Sequence, residues 1–267
     1  MLAGIDLGAS LHKVALARDP TLRDLELVTF AARDRDLAVA FVRERAPRRV
    51  VVSGGQAEDA AAALAPLSAS IVGEFDAWAR GAALLGVRAG TLVDEPYLLV
   101  SLGTGTSILL VGDGHVTRIA GTALGGATIV GLASLLLGVD RFDEIVALAA
   151  RGSRRDVDLL LGDVYPSIAV PDFTAAHFGK IRSRRPEDIA YALLQLVAEN
   201  VALIAAGQAM ARGVTGVVYG GSTLIGNCPL AEVLTTMTGF FGLRVVLLND
   251  GAYCGAVGCL SMAFDAA

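Results

Sequence analysis

The stretch SLGTGTS at residues 101–107 decides the fold of this chain, because it has a counterpart in GIDLGAS at residues 4–10. Each is a glycine-bearing turn that follows one apolar run and precedes another. Such internal similarity indicates a repeated structural unit. Two turns in equivalent places of a repeated unit would face one cleft, and their exposed backbone N–H groups would let an anion approach closely. The pair therefore predicts a phosphate-binding cleft between two similar halves.

The segments around the two turns extend this repeat. Three strand-like runs surround each turn, at residues 2–6, 13–18 and 25–30 in the first half and at residues 97–102, 107–111 and 115–119 in the second. Strands then alternate with helices, which predicts that parallel strands extend each antiparallel meander. The expected fold class is α/β, with two lobes at residues 1–90 and 91–267. A polar connection at residues 86–95 separates them.

The remaining elements follow from apolar periodicity. Further strands are predicted at residues 50–52, 70–72, 217–219 and 244–248. Helices are predicted at residues 36–45, 57–64, 75–86, 127–137, 142–150, 186–212 and 229–241, with a closing helix from Ala252. The region at 151–185 is the loosest, and its arginines are expected on a solvated or partner-facing surface. These are Arg151, Arg154, Arg155, Arg182, Arg184 and Arg185.

Composition narrows the classes of function. The chain has 267 residues, 54% of them hydrophobic, which is enough for a folded enzyme with a proper core. A net charge of -5 argues against nucleic acid as a partner, because such binding depends on clustered Lys and Arg. The three cysteines form no CxxC pair and are expected to be reduced core residues. The N-terminus does not resemble a signal peptide, so a cytoplasmic location is expected.

One uncharged stretch, residues 119–139, is long enough on paper to cross a bilayer. Five glycines interrupt it, and both flanks continue a globular pattern. We therefore expect no membrane span and predict instead a helix buried on all sides of a globular core.

Acidic and basic side chains near the turns are candidates for chemistry. Asp6 ends a strand and would suit a magnesium ion held through water. Glu74 opens a helix and is a candidate base, although a carboxylate in the first turn also complements the helix dipole, and Asp76 is a rival for the role. Arg118 could stabilise charge on a transferring phosphoryl group or cap a strand end. Each turn, taken alone, could be a plain hairpin.

Other motifs are absent or weaker. No segment matches GxxxxGK[ST], so a P-loop kinase is disfavoured. The three histidines are scattered and support no hydrolase triad. The run at residues 220–222, Gly-Gly-Ser, follows a strand, which is where an open α/β sheet usually receives a nucleotide.

Taken together, these runs resemble the actin-like ATPase superfamily and, more narrowly, the type II pantothenate kinases. Residues 4–13 are similar to that family's opening GIDxGGTLxK. Residues 74–81 resemble the segment with its catalytic glutamate, and residues 103–132 follow its pattern almost throughout. Residues 172–180 are like its DLTAS-FGK run, and residues 249–258 are like its closing GAxxGAxGAL. The resemblance is weakest at residues 18–68. It implies a duplicated ribonuclease-H-like, two-lobed fold with mixed sheets flanked by helices.

The resemblance also implies a set of roles. Glu74 would be the general base on the primary hydroxyl of pantothenate, with Arg118 as second catalytic residue and Asp6 as magnesium ligand. Tyr253 would line the acceptor pocket, completed by a second subunit, with the helix from Pro186 as candidate dimer interface. The acceptor would contact Thr104, Arg118, Gly121, Thr122 and Tyr253. ATP would contact Asp6, Gly8, Ser10, Lys13, Gly103, Thr104, Gly105, Thr106, Gly125, Gly126, Gly220, Gly221 and Ser222.

Departures from the family pattern leave the acceptor open. Ala9 and Ser10 replace the usual Gly-Thr, and Thr104 stands where serine is common. Pantetheine is a related acceptor, and coenzyme A or an acyl-coenzyme A could inhibit at the site. An N-acetylhexosamine kinase should show its own sugar-binding Asp motif, which is not found. A regulatory nucleotide-binding protein without turnover is the alternative from another class.

Overall fold

Two five-stranded sheets with the same strand order form the framework of the protein, which a computed structural model describes at residues 1–91 and 94–265. The strands are β1 (Leu2–Leu7), β2 (Leu11–Ala17), β3 (Glu26–Ala31), β4 (Val50–Gly54), β5 (Ala69–Ile71), β6 (Tyr97–Leu102), β7 (Thr106–Gly112), β8 (His115–Thr122), β9 (Leu159–Leu160), β10 (Thr174–Ala176), β11 (Gly216–Gly220) and β12 (Arg244–Leu247). The first sheet has the order β3-β2-β1-β4-β5, and the second, from the opposite edge, β8-β7-β6-β11-β12. Strands β9 and β10 form a small separate sheet.

Strand directions repeat as well as strand order. In each sheet the first three strands in sequence are antiparallel neighbours, and two parallel strands extend the sheet on the other side of the first. The predicted α/β fold, with a duplicated unit and mixed sheets, is therefore confirmed.

Helices cover the sheets in layers. They are α1 (Arg35–Arg45), α2 (Ala57–Ala63), α3 (Glu74–Ala89), α4 (Gly126–Leu137), α5 (Phe142–Ala149), α6 (Leu161–Val164), α7 (Pro186–Arg212), α8 (Cys228–Phe240) and α9 (Cys254–Asp265). Helices α1 and α2 pack on the outer face of the first sheet. Helices α3 and α9 lie between the two sheets, and α4, α5, α7 and α8 cover the outer face of the second.

The central strands of the second sheet, β6 and β11, are buried on both faces, which explains their apolar sequences. In β6, Leu98 and Val100 point into the outer core, whereas Tyr97 and Leu99 point into the core between the sheets. Because alternate side chains enter different cores, the strand reads as a continuous apolar run rather than as an alternating one.

The last helix, α9, returns to the first sheet. Glycines allow this close approach: a Cβ at Gly4 would stand 2.1 Å from the Ala256 carbonyl oxygen, and one at Gly258 would stand 1.8 Å from that of Ala77. The helix thus packs on β1 and α3, although it follows the second sheet in sequence. The predicted lobe boundary at residue 90 stays a prediction. It assigns α9 to the second lobe, although α9 packs on β1 and α3 of the first.

Several predictions about the surface were wrong. Helix α4 is not buried on all sides, since Leu135 is 83% exposed and only Ile129 and Ala133 are buried. Cys228 is exposed, while Cys254 and Cys259 are buried as expected. Arg154 does not lie on a wet surface, because its guanidinium is largely enclosed and lies 3.0 Å from Glu199 Oε1 on α7.

The predicted connection at 86–95 is shorter in the structure, because α3 continues to Ala89 and ends at Gly90 with a left-handed φ of 66°. Residues 92 and 93 of that connection lie outside the described residues. Helix α7 is long and apolar enough to cross a membrane by length and composition alone, but 67% of its most apolar window is buried inside the protein. Burial of this extent is that of a core helix.

Candidate active site

A polar cleft of about 300 Å³ lies between the two glycine turns. The turn after β1 forms one side and the turn after β6 forms the other, so both occupy equivalent places in their sheets. The start of α3 and the strand β8 close the cleft with Glu74 and Arg118. The two halves of the repeat therefore meet at one site, as predicted.

The first turn brings a carboxylate and an amine to the floor of the cleft. Asp6 and Lys13 are cross-strand partners in β1 and β2, and the Lys13 Nζ atom lies 4.0 Å from Asp6 Oδ2. Both side chains are buried, with Asp6 only 2% exposed. Burial raises the pKa of the Asp6 carboxyl to about 6; the charge of Lys13 opposes this rise and that of Glu74 adds to it.

The second turn is fixed by backbone contacts rather than by charge. The Gly126 N–H donates to the Gly103 carbonyl at 2.8 Å, and the Ala127 N–H donates to that of Thr104 at 3.1 Å. Gly125 lies so close that a Cβ would stand 2.6 Å from the Cα of Gly105. The first turn of α4 is thereby held against the glycine turn after β6.

The two turns touch across the cleft. Ser10 Oγ lies 2.7 Å from Thr104 Oγ1, and either hydroxyl can be the donor. Both residues are near the mouth of the cleft and are not sealed from solvent. A polyphosphate bound between the turns would therefore meet a pair of hydroxyl groups that belong to opposite lobes.

Glu74 and Asp76 are separated by the structure, although they are two residues apart. Glu74 is the first residue of α3 and lines the cleft, whereas Asp76 lines a different surface cavity. The Asp76 carboxylate lies against Gly73, within 2.6 Å of where a Cβ would stand. The geometry thus favours Glu74 as the group that can reach a reacting hydroxyl.

Arg118 is aimed by an irregularity in β8. Ile108 pairs with Ala120 but Leu109 pairs with Arg118, so Ile119 is an extra residue on that strand. Such a bulge changes the direction of neighbouring side chains. The Arg118 Nε–H donates to Ser107 Oγ at 3.3 Å, and its guanidinium lies against Gly121, where a Cβ would come within 2.5 Å of it.

A second cavity of about 490 Å³ continues from the first. Its lining is mainly apolar and includes Val130 and Phe142, and it shares Ser10, Thr104 and Ser222 with the polar cleft. A ligand with an anionic part and a flat apolar part could therefore occupy both cavities at once.

Gly221 supports the second turn from below. Its φ is 119°, and a Cβ would stand 2.1 Å from the Leu102 carbonyl oxygen. Gly54 has the equivalent place in the first sheet, with a φ of 97° and a Cβ position 2.4 Å from the Leu7 carbonyl oxygen. The geometry shared by the two lobes thus includes a glycine beneath each loop.

The structure brings most of the predicted site residues together. Those that line the polar cleft are Asp6, Gly8, Ser10, Lys13, Glu74, Gly103, Thr104, Gly105, Thr106, Arg118, Thr122 and Ser222. Gly121, Gly125 and Gly221 lie beneath or beside it, and Gly126 lines the second cavity. Gly220 packs against Gly251 and pairs in the sheet with Ser101, a lining residue. Tyr253 is not in the lining; its hydroxyl lies 2.9 Å from Thr29 Oγ1.

Sequence reasoning missed several lining residues. Trp78 lines the polar cleft, while Val130, Phe142 and Thr223 line the second cavity. The position of Trp78 could have been found, because it follows Glu74 by four residues on one helix and so shares its face. The apolar residues of the second cavity gave no signal distinct from that of core residues.

The duplicated, two-lobed architecture is the actin-like ATPase fold. The solved activator of 2-hydroxyisocaproyl-CoA dehydratase from Clostridium difficile with bound ADPNP matches 99% of this chain and 94% of its own, with a TM-score of 0.65 and 15% identity. A ROK family glucokinase from Streptomyces griseus, solved with glucose and AMPPNP, matches 99% of both chains with a TM-score of 0.64 and 12% identity. These similarities show the fold.

Sequence comparison identifies the family within that class. The family model described as Fumble matches residues 91–262. Type II pantothenate kinases from Bacillus cereus (strain AH820) and from Oceanobacillus iheyensis are each 31% identical, and each alignment covers 96% of this chain and at least 95% of the relative. The chain therefore belongs to the type II pantothenate kinase family.

Proposed function

We propose that this protein transfers the γ-phosphoryl group of ATP to the primary hydroxyl of pantothenate, giving 4'-phosphopantothenate in the first step of coenzyme A biosynthesis. The observation that carries the proposal is the meeting of Asp6, Lys13, Glu74 and Arg118 in one cleft between two glycine turns. Phosphoryl transfer needs mainly positioning and charge neutralisation, and this set supplies both. The names of the relatives at 31% identity support pantothenate as acceptor.

Each side chain then has a role. Glu74 accepts the proton of the attacking hydroxyl at its carboxylate. Lys13 and the N–H groups of the two turns hold the phosphates, while Arg118 balances charge that develops on the transferring group. The second cavity, with Val130 and Phe142, takes the nucleoside part of ATP.

A magnesium ion fits beside Asp6. Magnesium retains much of its water and needs few protein oxygens, so one carboxylate in a polar cleft is a sufficient anchor. Among the described residues, the Asp6 oxygens accept no hydrogen bond, and the nearest cationic group, Lys13 Nζ, is 4.0 Å from Oδ2, which leaves lone pairs available to a hydrated cation. Bound there, the ion would neutralise phosphate charge.

The acceptor assay is the test of this proposal. Release of ADP is measured with purified protein, ATP and magnesium in the presence of pantothenate, pantetheine, N-acetylglucosamine or no acceptor. Pantothenate-dependent release is expected. Release only with the sugar would replace the proposal by a hexosamine kinase, and none with any acceptor despite ATP binding would favour a regulatory protein. Inhibition by coenzyme A or acetyl-coenzyme A that is relieved by excess ATP or pantothenate would support a feedback ligand at the active site.

We further propose a cytoplasmic homodimer. The three cysteines are free, which suits a reducing compartment. Most of α7 is buried in the core, so the candidate interface narrows to the exposed apolar residues of its last turns, Leu203 and Met210, and of α4, Leu135 and Leu136. Light scattering after chromatography should give twice the chain mass, and a lower mass for Met210→Glu.

A further inference from the structure

The only tryptophan in the chain, Trp78, forms a wall of the polar cleft. It lies on α3 four residues after Glu74, and residues at this spacing have Cβ atoms about 5–6 Å apart on one helix face. The side chain is 5% exposed and otherwise packs in the core between the two sheets. An aromatic ring is therefore fixed one helical turn from the proposed base.

The indole N–H of Trp78 has no partner among the described residues. Within residues 1–91 and 94–265, no acceptor for this donor lies within hydrogen-bonding distance, and the N–H is not among the polar atoms that are sealed from solvent. A buried indole normally finds a partner for its N–H. The Trp78 side chain is 95% enclosed, and it borders the cleft. We therefore expect the partner of its N–H to be a molecule bound in the cleft.

The rest of the cleft is polar, which makes this ring distinctive. Serine, threonine, glycine and charged residues form nearly all of the lining, and Leu11 and Trp78 are its large apolar members. Leu11 also borders the second cavity, whereas Trp78 does not. An apolar part of the acceptor beside the reacting hydroxyl would thus have Trp78 as its main contact.

We propose that Trp78 is a specificity-determining residue for the acceptor, which it recognises through a dimethyl-substituted carbon adjacent to the CH2 group that bears the reacting hydroxyl. This inference rests on the proposed function. Pantothenate and pantetheine share a primary hydroxyl on a CH2 group, and this CH2 group is bonded to a carbon that carries two methyl groups. When Glu74 holds that hydroxyl, the methyl groups lie within the reach of a ring one turn along the helix, and the indole N–H is free to donate to an acceptor oxygen.

The first test uses the unmodified protein. Since Trp78 is the single tryptophan, its fluorescence reports on this site alone. Pantothenate and pantetheine should each shift the emission to shorter wavelength, because they displace water from the ring, and N-acetylglucosamine should leave it unchanged. The titration is run without ATP, so its outcome does not depend on turnover. An emission spectrum that stays constant at saturating pantothenate would overturn the inference.

The second test separates the ring from its N–H. Trp78→Phe keeps an apolar ring and should raise the KM for pantothenate roughly fivefold to tenfold, the value of one hydrogen bond, with little change in kcat or in the KM for ATP. Trp78→Ala should raise the KM for pantothenate above the value in Trp78→Phe. For an acceptor analogue in which both methyl groups are replaced by hydrogen, the two variants should have the same KM. Val87→Ala, at an exposed position late in the same helix, is the matched control.

The two proposals fail in different ways. If the wild type turns over pantothenate and Trp78→Phe has an unchanged KM, the role of Trp78 is wrong and the proposed function stands. If the wild type shows no turnover, the proposed function fails, and the fluorescence titration still decides whether the acceptor binds at Trp78.

Discussion

The two glycine turns of this protein have the same backbone setting but different side chains. Asp6 in the first sheet pairs across strands with Lys13, and Ser101 in the equivalent place of the second sheet pairs with Ser107. A glycine with positive φ lies beneath each turn, Gly54 in one lobe and Gly221 in the other. One lobe thus presents charged groups to the cleft where the other presents hydroxyl groups.

This difference shows how one fold unit can supply two functions. The backbone of both turns is suited to approach by an anion, so both can hold phosphate. Only the first lobe adds the buried carboxylate, the lysine and, at the start of α3, the proposed base Glu74. Arg118 is the cationic contribution of the second lobe to the cleft lining. In the proposed function, the first lobe therefore supplies the proton and metal chemistry, and the second lobe chiefly positions the phosphates.

The largest effect should come from the first lobe, through Glu74→Gln. Removal of a general base typically costs a hundredfold to ten-thousandfold in rate, so kcat should fall by roughly that range. ATP affinity should stay near the wild-type value, because the proposed phosphate contacts are made by the second lobe and Lys13 and not by Glu74. Turnover is measured by ADP release and affinity by calorimetric titration.

Asp76→Asn is the matched control for this experiment, since its side chain lies two residues away and outside the cleft. It should leave kcat within about twofold of wild type. A severe loss in Asp76→Asn with an active Glu74→Gln would exchange the two roles.

A pH dependence should follow from the burial of Asp6. Its pKa is raised to about 6, so the carboxyl is protonated below that pH and cannot anchor magnesium. The value of kcat/KM for ATP should then fall up to tenfold per unit as pH drops below about 6. A flat profile between about pH 5 and 7 would contradict the metal role of Asp6.

The Asp6 carboxyl should also make stability depend on pH, but in the opposite direction to activity. Its pKa is higher in the folded protein than the usual 3.8, so the folded state binds a proton that the unfolded chain releases between pH 3.8 and about 6. The contribution of Asp6 therefore favours folding at acid pH and is lost as pH rises to 6, by about 3 kcal/mol. Comparison of urea unfolding of wild type and Asp6→Asn across this window isolates that slope.

The free energy of unfolding should also depend on the two glycines beneath the turns, Gly54 and Gly221. Gly54→Ala and Gly221→Ala each place a Cβ within 2.4 Å of a carbonyl oxygen at positive φ, so each should lower the free energy of unfolding by roughly 2–4 kcal/mol. Gly90→Ala has positive φ but open space around it, and should cost about 1 kcal/mol. Equal costs at Gly54 and Gly90 would mean that the close approach is unimportant.

The smallest effect is expected at the contact between the lobes. Ser10→Ala and Thr104→Val each remove one hydroxyl of the 2.7 Å pair. Because solvent reaches this pair and a hydrogen bond of this kind contributes about 1 kcal/mol, the KM for ATP should rise roughly threefold to tenfold in either variant. The double variant should be less than additive, since both changes remove the same contact.

Much of this molecule could be predicted from local sequence. Short contiguous stretches of sequence are enough to predict the glycine turns, the order of strands and helices, and most lining residues of the cleft. What could not be predicted depends on distant parts of the chain. The pairing of Arg154 with Glu199 and the return of α9 to the first sheet join residues far apart in sequence.

Tyr253 and α4 show the same limit at the site. The resemblance places Tyr253 in the acceptor pocket, and within this chain its hydroxyl contacts Thr29 instead. The exposure of Leu135 could not be predicted from the apolar run that contains it. An apolar sequence does not distinguish a helix covered by its own chain from one whose outer face is covered by another chain.

A competition between acceptors tests the central claim most directly, because sugar kinases share this fold. The protein is incubated with ATP, magnesium and equal concentrations of pantothenate and N-acetylglucosamine, and the products are identified by mass spectrometry. The account predicts that pantothenate gains one phosphoryl group while the sugar is unchanged. Phosphorylated sugar with unchanged pantothenate would contradict it.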